Sequence, residues 1–378
     1  MEPLIPFNKP YMTGKELFNI AEAHFNGMLA GDGPFTKKCQ ASLEELTGTR
    51  KALLTHSCTA ALEMAALLCD VQSGDAVIMP SYTFVSTANA FVLRGARPIF
   101  VDIQEETLNI DPSKIEAALT PQTRGIVAVH YAGAVCDMAP ILEVARSHGL
   151  WVIEDAAQGI MSSYRGCAAG TLGDMGTLSF HETKNIISGE GGALLVNRAD
   201  LIERAEIIRE KGTNRSQFFR GAVDKYTWCD LGSSYLPGEL TAAFLWAQLS
   251  ECGGITHRRL ALWGRYHEAF EPLESRGKCR RPVIPRDCVH NAHLYYLLLE
   301  DLEQRTRFID WMRGGGIQTV FHYVPLHSAP YVEHCGWTNR PLPVTESVAD
   351  RIVRLPLWLG LEPLQQRVID RVLSFFSS

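Results

Sequence analysis

Ten cysteines are scattered along the chain, and no two of them form a C-x-x-C pair. That absence excludes a zinc ribbon and a thioredoxin-type motif, and the scatter provides no disulfide frame. The thiols are expected to be reduced and mostly buried, as in a cytoplasmic enzyme, and no metal site is expected. No stretch reaches the ~18 apolar residues of a membrane span. The first residues, MEPLIPFN, carry an acid and no apolar signal core. A basic excess is missing as well. The 36 Lys and Arg face 42 Asp and Glu, and a net charge of −6 argues against bulk binding of nucleic acid or membrane. There is no internal repeat and no low-complexity tract.

What is present is a chain of 378 residues, long enough for one large and one smaller domain. Residues 1–50 read as an arm and two helices, with GDGPF (31–35) as a turn. Short apolar runs at 51–55, 76–79, 98–101, 125–130 and 150–154 read as strands. Helices are expected at 86–93, 111–119 (capped by Asp111) and 138–148. A helix opening at HSCTAAL is capped by Ser57 or Thr59. Strands alternating with helices at this spacing indicate an α/β domain with a mostly parallel sheet. A charged helix at 198–213 and an apolar one at 238–249 follow. Cys252-Gly253-Gly254 interrupts the pattern, so the domains are placed at 1–252 and 253–378. The second part reads as a helix (257–275), a strand (293–299), a helix (305–313) and a triple-glycine stop.

Residues 151–192 organise the rest. The run 151–153 closes on Glu154 and Asp155, the pattern of a buried parallel strand delivering a side chain to the carboxyl edge of a sheet. Lys184 follows a second apolar run, 175–180. Read singly, Asp155 is a cap or turn residue and Lys184 a solvated side chain. Read together, a carboxylate and an amine at two strand ends can share one pocket. The amine can form a Schiff base, and a buried Asp can keep a pyridinium nitrogen protonated. Those are the two anchors of a pyridoxal phosphate (PLP) enzyme. For that work the amine's pKa must fall well below ~10.4, which desolvation can achieve.

With Gln158, Ser179, His181 and the GEGG turn, this stretch resembles the DegT/DnrJ/EryC1/StrS sugar aminotransferases, PLP enzymes of the aspartate aminotransferase (type I) fold. The likeness runs through PFNKP, GDGPFTKKC, TALE, MPSYTFVSTANAF, VHYAG, REKGTNRSQFFRGAVDKYTW, FHYVPLH and RLPL, nearly the whole chain. It implies a large domain on a mostly parallel seven-stranded sheet, a smaller C-terminal α/β domain, and a homodimer with shared active sites. It also implies PLP as cofactor, L-glutamate as donor, a 4-keto-6-deoxy sugar on dTDP as acceptor, and a product destined for cell-surface polysaccharide.

The resemblance assigns Lys184 to the covalent anchor and proton carrier, Asp155 to the pyridine nitrogen and Gln158 to the ring hydroxyl oxygen. Ser179 and the helix start at Cys58 and Thr59 fall to the phosphate, and Phe84 to the ring face. Many relatives have Gly where this chain has Cys58. Strand alternation puts His181 on the side of Ser179, where it is either catalytic or a structural neighbour. The segment 211–228 is a solvated loop by composition. The resemblance instead extends it into the neighbouring subunit, with Lys211, Arg215, Arg220 and Lys225 suited to a nucleotide diphosphate. Relatives carry an Asn within 232–235 for the partner's phosphate, and here Ser234 or Tyr235 would stand in. His322, Tyr323 and His327 are candidates for the substrate pocket or for the core. Two alternatives remain: a transferase for another nucleotide, sugar position or C4 configuration, and a PLP- or nucleotide-binding regulator without turnover. The presence of both Lys184 and Asp155 argues against the second.

Overall fold

A computed structural model describes residues 4–337 and 340–377. Met1, Glu2 and Pro3 of the expected arm, with its acidic residue, and Ser378 of the expected small domain lie outside the described residues. Helices α1 (Glu16–Asn26) and α2 (Pro34–Thr47) precede β1 (Lys51–Thr55). There follow α3 (Cys58–Leu68), β2 (Ala76–Pro80), α4 (Val85–Val92), β3 (Arg97–Val101), β4 (Thr123–Val129), α5 (Met138–His148) and β5 (Trp151–Asp155). Two short strands, β6 (Ser163–Tyr164) and β7 (Cys167–Ala168), lead to β8 (Met175–Ser179) and β9 (Gly192–Val196). Then come α6 (Ile202–Arg209), α7 (Arg215–Phe219), α8 (Glu239–Leu249), α9 (Cys252–Ala269) and α10 (Glu271–Ser275). The chain ends with β10 (Cys288–Val289), β11 (Tyr295–Leu298), α11 (Leu302–Gly314), α12 (Pro330–His334), α13 (Pro343–Arg351), β12 (Ile352–Leu355) and α14 (Gln365–Phe375).

Seven strands form one sheet in the order β1-β9-β8-β5-β4-β2-β3, and only β9 runs antiparallel to its neighbours. Successive residues of a strand point to opposite faces, so the two faces can be read off the core. Leu53, Val77, Val127, Ile153 and Leu194 pack with α3, α4 and α6. Ala52, Leu54, Ile78, Ile126, Val152 and Leu195 pack with α2, α5, α8 and α9. Both faces are covered, which is why these strands read as unbroken apolar runs instead of alternating ones. The second core continues without a gap into β11, β12 and α14. There β11 and β12 pair antiparallel, and the N-terminal arm joins them: Ile5 bridges Ile317 and Trp358 Nε1 donates to Pro6 O at 3.0 Å.

Several elements differ from the sequence reading. Strand β9 was not anticipated, although GALLV is a buried-strand run directly after the GEGG turn. Asp111 caps by accepting from Ser113 N, but 112–118 forms two separate 3-10 turns. Ile115 is the only buried residue among them, so no apolar stripe holds a longer helix. Helix α6 stops at Arg209 because Lys211 and Gly212 both adopt positive φ. Gly253 and Gly254 lie inside the first turn of α9 and do not interrupt it. Pro34 and Phe35 of the expected turn already begin α2.

The carboxyl ends of β5 and β8, together with the start of α3, converge at one edge of the sheet, where open α/β folds bind ligands. Glu154 fixes that edge from behind. Its carboxylate accepts from the amides of Gly170, Leu172 and Gly173 at 2.9, 2.6 and 2.6 Å. Because His130 Nδ1 accepts from Cys136 N, its other nitrogen carries the proton and donates to Glu154 at 2.8 Å. Gly192 presses against the start of α3: a Cβ there would lie 2.4 Å from Cys58 N. Gly192→Ala is therefore expected to destabilise the protein by about 1–3 kcal/mol. Urea unfolding of the cofactor-free form measures this, and an unchanged midpoint would show that the contact relaxes freely.

Candidate active site

A cavity of about 590 Å³ opens at this sheet edge. Cys58, Thr59, Phe84, Asp155, Gln158, Ser179, His181, Lys184, His322 and Tyr323 all line it, as do Phe7 and Asn8 of the arm.

Lys184 is carried by a loop folded back on itself. Phe180 N donates to Gly191 O, Ser188 N to Phe180 O, and Glu182 N to Gly189 O, at 2.7–2.8 Å. Gly189 supplies the left-handed residue this return requires, with φ +82°. Asn185 ties the loop down by donating to Asn291 O at 2.8 Å. The residue as a whole is half-buried, but its amine is desolvated. Burial lowers its pKa, Cys58 and Asp155 oppose that shift, and Arg354 adds to it.

Asp155 ends β5 and is buried. Thr87 Oγ1 donates to one carboxylate oxygen at 2.7 Å and Ala157 N to the other at 3.1 Å. Since the Thr87 proton is committed there, Thr83 donates to Thr87, at 2.8 Å. This chain of hydroxyls fixes the carboxylate's orientation. At the start of α3, Ser57 accepts from Ala60 N at 3.1 Å, as a capping residue should. Thr59 pairs with Ser86 Oγ at 2.8 Å. The first-turn amides at Cys58 and Thr59 lack helical partners and lie at the positive end of the helix. Burial, and next the Asp155 charge, push the Cys58 thiol up to about 12, so it stays protonated.

Phe84 precedes α4 with 57 % of its surface exposed, an apolar ring left uncovered on the cavity wall. Gln158 accepts from Ala132 N at 2.7 Å and donates to Tyr323 OH at 3.0 Å, which leaves one amide proton uncommitted. At the rim, His181 Nδ1 faces Thr183 N at 3.2 Å and Thr183 Oγ1 at 2.9 Å. Its proton therefore sits on Nε2, 3.7 Å from Glu190. His322 stacks on Tyr323, bonds Tyr131 OH at 2.7 Å, and is held neutral by burial.

His293 and Arg354 are among the lining residues that escaped the sequence reading. His293 places Nδ1 3.1 Å from Asn185 Oδ1, and burial keeps it neutral as well. Arg354, on β12, enters from the C-terminal part. It stands at the head of the RLPL motif, which marked the position without revealing its direction. His293 follows an irregular stretch with no pattern to flag it.

Other candidates lie away from this cavity. Arg215 pairs with Glu210 at 3.1 Å and Arg220 with Glu206 at 2.8 Å, while Lys225 is exposed. Ser234 is exposed and bridges to Glu210. Tyr235 turns inward and stacks on His56, its hydroxyl pushed up by burial and by Glu63. His327 is held between Ser81 at 2.7 Å and Glu346 at 3.0 Å.

These residues fit PLP. An amine, a fixed carboxylate, a bare aromatic face and a first-turn amide group share one space, and Gly192 lets β9 approach that turn. Lys184 and Asp155 would hold its two ends of reactivity, and α3 with Ser179 its phosphate.

Comparison with known proteins points the same way. The DegT/DnrJ/EryC1/StrS aminotransferase family matches residues 10–373. The spore coat polysaccharide biosynthesis protein SpsC of Bacillus subtilis is 33 % identical over 94 % of this chain and 92 % of its own. The crystal structure of the aminotransferase TlmJ from Streptoalloteichus hindustanus superposes with a TM-score of 0.90 at 28 % identity, covering 99 % of each chain. S. venezuelae DesV, solved in complex with a ketimine intermediate, gives 0.88 at 30 % identity over 98 % of each. The chain belongs to the DegT/DnrJ/EryC1/StrS aminotransferase family, and it is a PLP-dependent sugar aminotransferase.

A pH dependence follows from Lys184. Its pKa in the folded protein lies below that in the unfolded chain. Between the two values the unfolded chain binds more protons, so stability rises with pH. Cofactor-free wild type should gain stability relative to Lys184→Met as pH is raised from neutrality toward ~10.4, the free lysine value. Parallel unfolding curves for the two proteins across that range would contradict the desolvated amine.

Proposed function

We propose that this family member transfers an amino group from L-glutamate to dTDP-4-dehydro-6-deoxy-D-glucose. The product is dTDP-4-amino-4,6-dideoxy-D-galactose, for cell-surface polysaccharide of the enterobacterial common antigen type. The observation that carries the reading is the desolvated Lys184 amine sharing its cavity with the Asp155 carboxylate. The choice of sugar rests on REKGTNRSQFFRGAVDKYTW, which resembles the corresponding block of dTDP-4-amino-4,6-dideoxygalactose transaminase. A relative named for spore coat polysaccharide biosynthesis supports the destination.

When bound, PLP supplies an electrophilic carbonyl and an electron-accepting ring. The protein does the rest. Lys184, its ammonium form disfavoured by burial, takes a proton from the donor carbon and later returns one to the sugar carbon. Asp155, aligned by Thr87 and Ala157, would keep the ring nitrogen protonated. Tyr323, His322 and Leu357 come from the C-terminal part and line the cavity.

The working unit is proposed to be a homodimer. Leu17, Phe18 and Phe25 on α1 are 80, 72 and 85 % exposed, and Phe219 and Trp228 are 69 and 77 % exposed. Apolar groups this open mark a contact surface. The family resemblance extends the 211–228 segment toward the neighbouring copy's cavity. Sedimentation should give about twice 42.0 kDa, and Phe18→Glu with Phe25→Glu should give monomers. A wild-type monomer would remove this part of the reading.

The direct test loads the enzyme's amino group from L-glutamate, removes excess donor, and follows one turnover with a panel of nucleotide keto-sugars. The dTDP 4-keto-6-deoxy sugar should react fastest, and NMR should show the galacto configuration at C4. Lys184→Ala should slow that turnover at least ~100-fold. A preference for a 3-keto sugar, another nucleotide or the opposite configuration would replace the proposed substrate.

A further inference from the structure

Arg354 is the one guanidinium among the described residues lining the cavity, and its charge has no carboxylate partner there. Its backbone is fixed in β12 and bridged to Val320. Its Nε and Nη2 both donate to a single backbone oxygen, that of Phe321, at 3.3 and 3.1 Å. The plane of the group rests over the Phe7 ring, 4.7 Å from its centroid. The phenols of Tyr82, Tyr131 and Tyr323 lie nearby and partly offset the desolvation of the charge. The group is therefore held in place by a carbonyl and aromatic rings, with Nη1 making no bond to an anion.

A desolvated cation without an anion is expensive, and removing one partner of such a pair typically costs several kcal/mol. Arg204, Arg209, Arg258 and Arg281 each meet a carboxylate, and Arg259, buried without one among the described residues, lies outside the cavity and gives its two arms to separate carbonyls, of Ala292 and His293. An arrangement that leaves Arg354 bare inside a ligand cavity is what an anionic ligand would complete. The remaining groups around it cannot serve as that anion, since His293 and His322 are neutral imidazoles.

We propose that Arg354 receives the α-carboxylate of the amino donor and thereby turns the donor's nitrogen and Cα–H toward Lys184. The inference rests on the reading of this chain as an aminotransferase fed by an amino acid. Three anions could visit the cavity, and geometry separates them. The cofactor's phosphate has its own donors at the start of α3. The nucleotide's diphosphate is joined to C1, across the sugar ring from the C4 carbonyl that must reach Lys184. The donor's carboxylate alone is bonded to the same carbon as the reacting nitrogen. It must lie close to Lys184 wherever the donor binds, and Arg354 is near enough to bias the Lys184 charge. The planar fork of a guanidinium also suits a carboxylate in two-point contact.

The test uses the PLP-loaded enzyme with Arg354→Gln and Arg354→Lys. The glutamine keeps a donor for the Phe321 carbonyl and removes the charge. The lysine keeps the charge and loses the fork. Calorimetry with glutarate, an inert dicarboxylate without an amine, reads binding apart from turnover. Wild type should bind it, and Arg354→Gln should weaken it roughly 10–100-fold, as expected for one charge-assisted contact. The half-saturating concentration of L-glutamate in the first half-reaction should rise by a similar factor, with Arg354→Lys between the two. The second half-reaction, from amine-loaded enzyme to nucleotide keto-sugar, should change less than about threefold. Unaltered glutarate and glutamate binding in Arg354→Gln overturns the proposal. So does an equal loss in both half-reactions, which would mark a structural or phosphate-binding role. Failure of wild type to accept any amino acid would instead overturn the aminotransferase reading itself and this inference with it. The thermal midpoint of each variant checks that the fold survives.

Discussion

One desolvated space shared by the Lys184 amine and the Asp155 carboxylate is the constraint the structure serves. Burial lowers the Lys184 pKa, and the nearby Cys58 and Asp155 oppose that shift. An amine whose charged form burial disfavours gives up its proton more readily than a free lysine. Neither group could stay in place unaided. Asp155 is aligned by Thr87, itself aligned by Thr83, and Lys184 rides on a loop tied to 291–293 through Asn185. Behind them, Glu154 holds the 170–173 turn so that β8 can run beside β5.

The fold assembles the site from distant parts because sheet edges collect the ends of strands. Residues from the arm, from the starts of α3 and α4, and from the ends of β5 and β8 all reach one cavity. The C-terminal part then supplies the facing wall, with His293, His322, Tyr323 and Arg354. Continuity of the core from the sheet into β11 and β12 makes that wall a fixed surface, built on the same packing as the sheet. Arg354 in this wall gives the cavity a polarity: a guanidinium on one side, an amine and a carboxylate on the other.

Much of this was legible in the sequence, and the reasons differ by element. Strands such as β2 and β5 showed as short apolar runs because both faces of the sheet are covered. Asp155 and Lys184 stood out only as a pair, a carboxylate closing one apolar run and an amine soon after another, within a stretch that resembles the family. The 111–119 helix misled because a good cap, Asp111, precedes a segment with only Ile115 to bury. Strand β9 was hidden behind its glycine turn, whose turn signal drew attention from the apolar run after it. That His293 and Arg354 reach the cavity was hidden for a deeper reason. It depends on which part of the chain packs over the sheet edge, and no local pattern of period two or 3.6 encodes that. The exposed rings of α1 and of 211–228 show only as open apolar surface.

The central claim is that the amine at position 184, and no other, forms the covalent link to the coenzyme. Reducing the PLP-loaded protein with borohydride and mapping the labelled peptide tests it without any assumption about substrate. The account predicts a single label on the peptide containing Lys184, and its loss in Asp155→Asn protein that no longer retains the coenzyme. A label on another lysine, or a yellow protein that yields no label at all, would contradict it.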